Sequence, residues 1–156
     1  MSITPPYVFF RKLPDTWVAT STGPCVLNLV KPRSTQPMDT TINSISYPMS
    51  PNTSPEELAD NVYSAFTARH LNSFIPTLNN GDLRKIGGVD FCTYGGIFEA
   101  PGVGLIVQNI YFNAQYSQES LNVIEIVTLL LMETALEDEP EIDTLLNNAI
   151  IAKMRR

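Results

Sequence analysis

The chain has 156 residues, a length typical of one domain (residues 1–156) that buries a hydrophobic core without disulfides or metals. Its formal net charge is −6, its pI is about 4.6, and its 10 Lys and Arg residues are scattered along the chain. This pattern excludes the basic stripe of a nucleic-acid-binding protein. Only 17% of the residues are charged, which favours a buried interface, so we expect a protein partner and consider a homodimer.

Residues 1–6 lack a charged segment followed by an apolar one, and no apolar run reaches the roughly 20 residues that span a bilayer. We therefore expect no membrane span and a cytoplasmic location. Cys25 and Cys92 lie in apolar segments and form no Cys-x-x-Cys pair, which predicts two reduced, buried thiols.

The first third of the chain is rich in strand signals. Aromatic and β-branched residues at 7–10 and 17–20, and a short apolar run at 25–30, predict three strands. Prolines among polar residues predict an exposed loop at 31–39. Alternating apolar and polar residues predict a half-exposed strand at 40–47.

Residues 54–57, Ser-Pro-Glu-Glu, carry the signals of a helix start. The Ser side chain can cap the free backbone N–H groups, Pro suits the first helical position, and Glu stands three residues after the cap. Leu58, Val62 and Ala65 follow at helical spacing. The sequence predicts a helix over residues 55–71.

The middle of the chain predicts strands separated by glycine turns. Residues 83–94 form one strand or two, broken at Gly87-Gly88, and Gly95-Gly96 and Pro101-Gly102 bracket a turn region. Alternation over residues 104–116 predicts a long strand.

The last third leaves one assignment open. Residues 123–132 are apolar on both faces, and their β-branched start favours a central strand covered on both sides. A buried helix is the alternative, because the run is long and holds no Gly or Pro. After an acidic run, apolar residues at helical spacing predict a short amphipathic helix over 141–150. The order strands, helix, strands, helix predicts an α+β fold.

Residues that could carry chemistry are few. His70 is the only histidine, so a zinc site has no second His ligand, and a position near a helix end favours a surface or capping role. A dyad of His70 with Cys25 or Cys92 is the enzymatic alternative, which no spacing supports. The glycine pairs match no phosphate-binding motif. We therefore expect no enzyme, no cofactor and no metal.

Two groups of residues are candidates for partner binding. An aromatic cluster near the N-terminus either packs in the core or forms a groove for a partner helix or peptide. An acidic run late in the chain either surrounds a solvated helix start or forms a cation site or a patch for a basic partner. The candidate residues are Tyr7, Phe9, Trp17, Glu137, Asp138 and Glu139.

Three short motifs resemble, in their order along the chain, the Mog1/PsbP/DcrB-like superfamily. They are Leu-Pro-x-x-Trp at 13–17, Ser-Pro-Glu-Glu-Leu at 54–58 and Ile-Gly-Gly at 86–88, followed by a long strand, an acidic connection and a final short helix at 141–150. The resemblance implies an α/β/α sandwich around a mainly antiparallel sheet and a non-enzymatic role. Members include a nuclear-transport cofactor that binds a small GTPase, photosystem subunits, envelope lipoproteins and effector-associated chaperones of type VI secretion, and this chain looks most like the last.

Together these features favour a cytoplasmic adaptor or chaperone that holds an apolar or amphipathic segment of another protein, such as a secreted effector. One alternative is a small-GTPase-binding transport cofactor that uses the acidic run. Another is a small-molecule enzyme or carrier with an inner pocket.

Overall fold

The computed structural model describes residues 8–10, 12–23, 26–68, 75–76, 82–116 and 119–152. The strands are β1 (Val8–Phe10), β2 (Val18–Gly23), β3 (Val26–Lys31), β4 (Thr40–Met49), β5 (Ile75–Pro76), β6 (Asp82–Ile86), β7 (Val89–Ala100), β8 (Gly104–Tyr116), β9 (Leu121–Leu131) and β10 (Ala149–Ile151), and the α-helices are α1 (Pro55–Ala68) and α2 (Ala135–Asn147). One 3-10 turn, Met132–Thr134, joins β9 to α2. Among the residues described, no helix is long and apolar enough to cross a membrane.

Eight of the strands form one antiparallel sheet in the order β2-β3-β4-β9-β8-β7-β5, and β6 pairs with the first part of β7. The other two, β1 and β10, form a separate ribbon. β9 pairs with β8 over its full length and with β4 over residues 121–129. The strand predicted at 123–132 is therefore confirmed, and it is apolar on both sides because both faces of the sheet are covered.

The two helices cover opposite faces of this sheet. Leu58 of α1 belongs to one core together with Val123, whereas Leu146 of α2 belongs to a second core together with Ile124. Because successive strand residues point to opposite faces, β9 contributes to both cores. The predicted α+β class, an α/β/α sandwich around a mainly antiparallel sheet, is confirmed.

Ser54 begins α1 as the sequence predicts. Its Oγ accepts a hydrogen bond from the backbone N–H of Glu57 at 3.1 Å, which satisfies one of the donors that a helix start leaves free. The helix is described as far as Ala68, and its predicted end near Leu71 lies outside the described residues.

Gly87 and Gly88 form the turn between β6 and β7, as predicted. Their φ angles are +59° and +79°, the left-handed conformation that a two-residue hairpin turn requires. A Cβ on Gly87 would lie 2.7 Å from the carbonyl oxygen of Ala149, so this turn packs closely against β10. The turn predicted at Gly95 and Gly96 is wrong: both are buried inside β7, where pairing with β5 and β8 overrides their weak strand propensity.

The C-terminal helix differs from its prediction at both ends. It begins at Ala135 and contains Pro140, which removes one backbone hydrogen bond, to the carbonyl of Leu136. Leu136 is 96% exposed, so this bond is lost in a solvent-exposed turn. The helix ends at Asn147, and Ala149–Ile151 form β10 rather than helix because they pair with β1 and pack on the glycine turn.

Candidate partner-binding site

Lys31 is a charged residue on the face of the sheet that α2 covers. Leu29 belongs to the core under α2 and is 1% exposed. Strand alternation places Lys31, two residues later, on the same face, and it is 5% exposed. The predicted exposed loop at 31–39 is therefore wrong for Lys31, which ends β3. A buried ammonium group is costly unless it is paired, and α2 supplies the partners.

Three carboxylates of α2 surround the Lys31 ammonium. Its Nζ lies 3.2 Å from Oε1 of Glu137, 3.0 Å from Oδ1 of Asp138 and 2.5 Å from Oε2 of Glu141. The i, i+4 spacing of Glu137 and Glu141 brings them together on one side of the helix. An ammonium group has three donors, and here each has a carboxylate acceptor.

Asp138 is the most deeply buried member of this cluster, at 0% exposure. Its Oδ2 accepts hydrogen bonds from the hydroxyls of Thr40 at 2.5 Å and Thr134 at 2.9 Å. Its Oδ1 accepts from Lys31 and from Arg33. The cluster, called the Lys31 network below, consists of Lys31, Arg33, Thr40, Thr134, Glu137, Asp138 and Glu141.

The Lys31 network holds its central groups in their charged forms. Burial raises the pKa of Asp138, but hydrogen bonds from Thr40, Lys31 and a second hydroxyl outweigh burial and leave this pKa below its ordinary value. Burial lowers the pKa of Lys31, but hydrogen bonds to Glu141 and the other two carboxylates leave it above its ordinary value. The pair is therefore ionised throughout the neutral pH range.

The same three carboxylates have the spacing of a cation site, since their ligand atoms lie within 4.8 Å of one another. The Lys31 ammonium, however, contacts all three at 3.2 Å or less. It takes the position in which a metal ion would be held. The arrangement therefore fits a structural role, in which α2 is fixed to the ends of β3 and β4.

The aromatic candidates are separated in the structure. Trp17 is 4% exposed and belongs to the core under α2, where its Nε1 donates a hydrogen bond to Oε1 of Glu141 at 3.2 Å. Phe9 is 47% exposed on β1, and Tyr7 lies outside the described residues. Core packing thus accounts for Trp17, while Phe9 lies at the surface.

The acidic candidates have three different environments. A solvated helix start is the wrong interpretation for Asp138, because the sheet brings Lys31 beneath it. The side chain of Glu137 is 60% exposed but pairs with Lys31 and Arg33. Glu139 is exposed and stands outside the Lys31 network. The run is therefore mostly occupied by contacts within the protein.

A groove opens beside the C-terminal half of α2, with a volume of about 1070 Å³. It lies between α2, the ribbon of β1 and β10, and the loop before β2. Phe10, Leu13 and Ile150 give it apolar walls, and Thr144 stands on α2 at its surface. Glu141 lines it too, so this groove, called the α2 groove below, adjoins the Lys31 network.

Neither the Lys31 network nor the α2 groove was identified from the sequence, for different reasons. The buried position of Lys31 follows from the alternation of Leu27, Leu29 and Lys31, so a signal was present. Thr134 and the α2 groove have no comparable signal, because both depend on how α2 lies across the sheet.

No family model matches the sequence, and no curated protein matches it. Two solved structures are similar to it. LpqN of Mycobacterium tuberculosis, a protein involved in cell envelope biogenesis, is 16% identical with a TM-score of 0.74, over 97% of this chain and 91% of LpqN. The PsbP protein CyanoP of Synechocystis sp. PCC 6803 is 11% identical with a TM-score of 0.52, over 96% of this chain and 94% of CyanoP. At such identities the likeness concerns the fold alone: the chain has the Mog1/PsbP-like fold.

Proposed function

We propose that this chain is a non-enzymatic adaptor or chaperone that holds an apolar or amphipathic segment of another protein in the α2 groove. The observation that carries the proposal is the groove itself. Its volume of about 1070 Å³ lies just above the roughly 300–1,000 Å³ usual for small-molecule pockets. A mainly apolar groove between a helix and a ribbon suits an inserted helix or extended segment.

The charges around the groove favour a segment of low charge. Lys12 and Glu141 both line it, and their opposite signs give no net attraction for a charged ligand. Binding would thus depend on burial of apolar area, which contributes about 25 cal/mol per Å² removed from water.

The acidic-patch alternative, a small-GTPase-binding transport cofactor, has less support. Asp138 is 0% exposed, and Glu137 is paired with Lys31 and Arg33, so little free negative charge is left for a basic partner. Salt separates the two proposals, because added salt screens attraction between exposed charges and leaves apolar association in place.

The enzymatic alternative depends on a reactive cysteine. Cys92 is a free, half-buried thiol, and burial raises its pKa, which favours the unreactive thiol form. Cys25 and His70 lie outside the described residues. Rapid labelling of a thiol at neutral pH, slowed in His70→Ala, would contradict the non-enzymatic proposal.

A site-specific crosslinking experiment tests the groove. A photoreactive benzoylphenylalanine replaces Thr144, an exposed groove residue, and in a matched control it replaces Leu136, which is 96% exposed on the same helix and does not line the groove. In lysate of the native cell we expect position 144 to crosslink to one dominant protein through an apolar segment, with a yield that added salt does not reduce. Equal products from both positions, or none from position 144, would refute the proposal.

The identity of the partner, the location of the protein and its oligomeric state are proposed separately, and each has its own test. A secreted effector is the proposed partner, and the cytoplasm the proposed location, which fractionation of the native cell tests. The homodimer stays a prediction, and light scattering that shows a strict monomer at high concentration would remove it.

A further inference from the structure

A second cavity lies between α2 and the central strands, on the side of α2 away from the α2 groove. Its volume is about 550 Å³. Val107, Leu130 and Ile142 form apolar walls, and polar side chains of β6, β8 and β9 also line it. This space is called the sheet cavity below.

Two neighbouring side chains in the sheet cavity have unpaired polar atoms. Asn109 and Thr128 are directly opposite each other on β8 and β9, and both line the cavity. Oδ1 of Asn109 and Oγ1 of Thr128 are buried and find no hydrogen-bond partner among the described residues. Thr128 is 0% exposed. Buried polar groups are normally paired, so each of these two atoms can still take a hydrogen-bond partner from a bound molecule.

Arg84 brings a third unpaired group to the cavity. Its Nη2 donates to Asp143 at 3.1 Å and to Asn147 at 3.2 Å, and its guanidinium lies 5.8 Å from the ring centroid of Tyr111. These contacts hold the side chain in place. Its Nη1 is buried and has no partner in the described part of the chain, so a fixed donor lines the same cavity.

The unpaired groups define the chemistry of a ligand. Nη1 of Arg84 requires an acceptor, Oδ1 of Asn109 requires a donor, and a threonine hydroxyl can serve either way. Asp82, Glu139 and Asp143 also line the cavity and would repel an anion. A neutral group that both donates and accepts hydrogen bonds fits the three unpaired atoms of Arg84, Asn109 and Thr128.

We propose that the sheet cavity binds a small neutral molecule whose polar end both donates and accepts hydrogen bonds, as a primary amide does, and whose apolar body lies against Val107, Leu130 and Ile142. This site is separate from the α2 groove, and it stands whether or not the groove holds a protein segment. The volume of about 550 Å³ is within the range of pockets for small ligands.

An isosteric series of probes tests the proposed chemistry on the full chain. Benzamide, benzoate and benzylammonium share one body and differ in charge, and their binding is followed by NMR through the resonances of Asn109 and Thr128. We expect saturable shifts with benzamide and dissociation constants at least tenfold weaker with benzoate, which the three carboxylates repel, and with benzylammonium, which Arg84 repels and which offers its unpaired Nη1 no acceptor. Benzoate binding as tightly as benzamide, or no saturable shift, would overturn the proposal and leave a cavity that holds water only.

Two variants assign the benzamide site. Thr128→Val keeps the shape of the side chain and removes the hydroxyl, and we expect it to weaken benzamide binding at least fivefold. Ser46→Ala is the matched control, because its Oγ is also buried and unpaired among the described residues but does not line the sheet cavity. Thermal melts verify that both variants fold. Equal benzamide affinity in Thr128→Val and the wild type would place the probe elsewhere and refute the assignment.

Discussion

Replacing Lys31 with Met removes the cation from the Lys31 network while keeping most of the apolar stem. The side chain of Lys31 is 7% exposed, and its ammonium pairs with Glu137, Asp138 and Glu141. In Lys31→Met the fully buried carboxylate of Asp138 retains Arg33, whereas Glu141 loses its cation.

Breaking a buried ion pair by removing one partner costs about 3–5 kcal/mol. Because Arg33 still pairs with Asp138, we expect the lower end, about 3 kcal/mol. For a chain of this length that loss corresponds to a fall in Tm of about 6–12 °C. Urea unfolding, followed by circular dichroism, measures the free energy directly.

The pH dependence of this loss has a defined sign. The pKa of Asp138 is lowered by folding, so its contribution is present above the unfolded-state pKa of about 4 and is lost as the pH falls through the folded-state value. The pKa of Lys31 is raised, so its contribution is present below about pH 10.4 and is lost as the pH rises through the folded-state value. The difference in the free energy of unfolding between wild type and Lys31→Met should therefore be constant between about pH 5 and 10 and shrink outside this window.

Lys85→Met is the matched control. Lys85 pairs with Asp90 at 3.2 Å, but the two side chains are 72% and 53% exposed, so this variant should lose less than about 1 kcal/mol. Equal losses in Lys31→Met and Lys85→Met would refute the structural role of the network.

Three further changes test separate features. Ser54→Ala should lower the free energy of unfolding by about 1 kcal/mol, because the cap to the N–H of Glu57 is lost; an unchanged urea midpoint would contradict the cap. Gly87→Ala should lower Tm more than Gly102→Ala, since both residues have positive φ but only at Gly87 does a Cβ meet a described neighbour, 2.7 Å away; equal losses would contradict close packing on β10. Adding Ca²⁺ or removing cations with EDTA at constant ionic strength should leave Tm unchanged, because an ammonium fills the carboxylate cluster; a rise with Ca²⁺ would show a cation site.

Most of the sheet and the first helix could be predicted from local signals. The Ser54 cap, the Gly87-Gly88 turn and the β-branched start of β9 each express a preference of the backbone or of nearby side chains, and the fold satisfies all three. Gly95 and Gly96 carry the opposite local signal, and pairing with two neighbouring strands overrides it. Local preference is decisive only where tertiary contacts do not oppose it.

The candidate site was less accessible to sequence reasoning. Acidic residues before an amphipathic helix usually face water, and the Asp138 position departs from this rule because Lys31 stands beneath it on the sheet. Lys31 and Asp138 are 107 residues apart in the sequence, so no local pattern connects them. The α2 groove depends likewise on the pairing of Ala149–Ile151 with β1. The sequence does not indicate this pairing, because the apolar residues at 142–150 have helical spacing.

The position of α2 determines both the α2 groove and the sheet cavity, because one side of the helix lines the groove and another side lines the cavity. Its N-terminal half is attached by the Lys31 network, which includes a fully buried carboxylate. On the sheet-cavity side its polar attachment is the pair of Arg84 with Asp143, whose carboxylate side chain is 64% exposed, and exposed pairs contribute about 1 kcal/mol or less. The charged network therefore fixes the start of the helix, whereas apolar packing of Leu145 and Leu146 fixes the half beside the groove. Apolar packing tolerates the exchange of one apolar surface for another. An apolar segment bound in the α2 groove can therefore add to the packing that already holds the C-terminal half of α2.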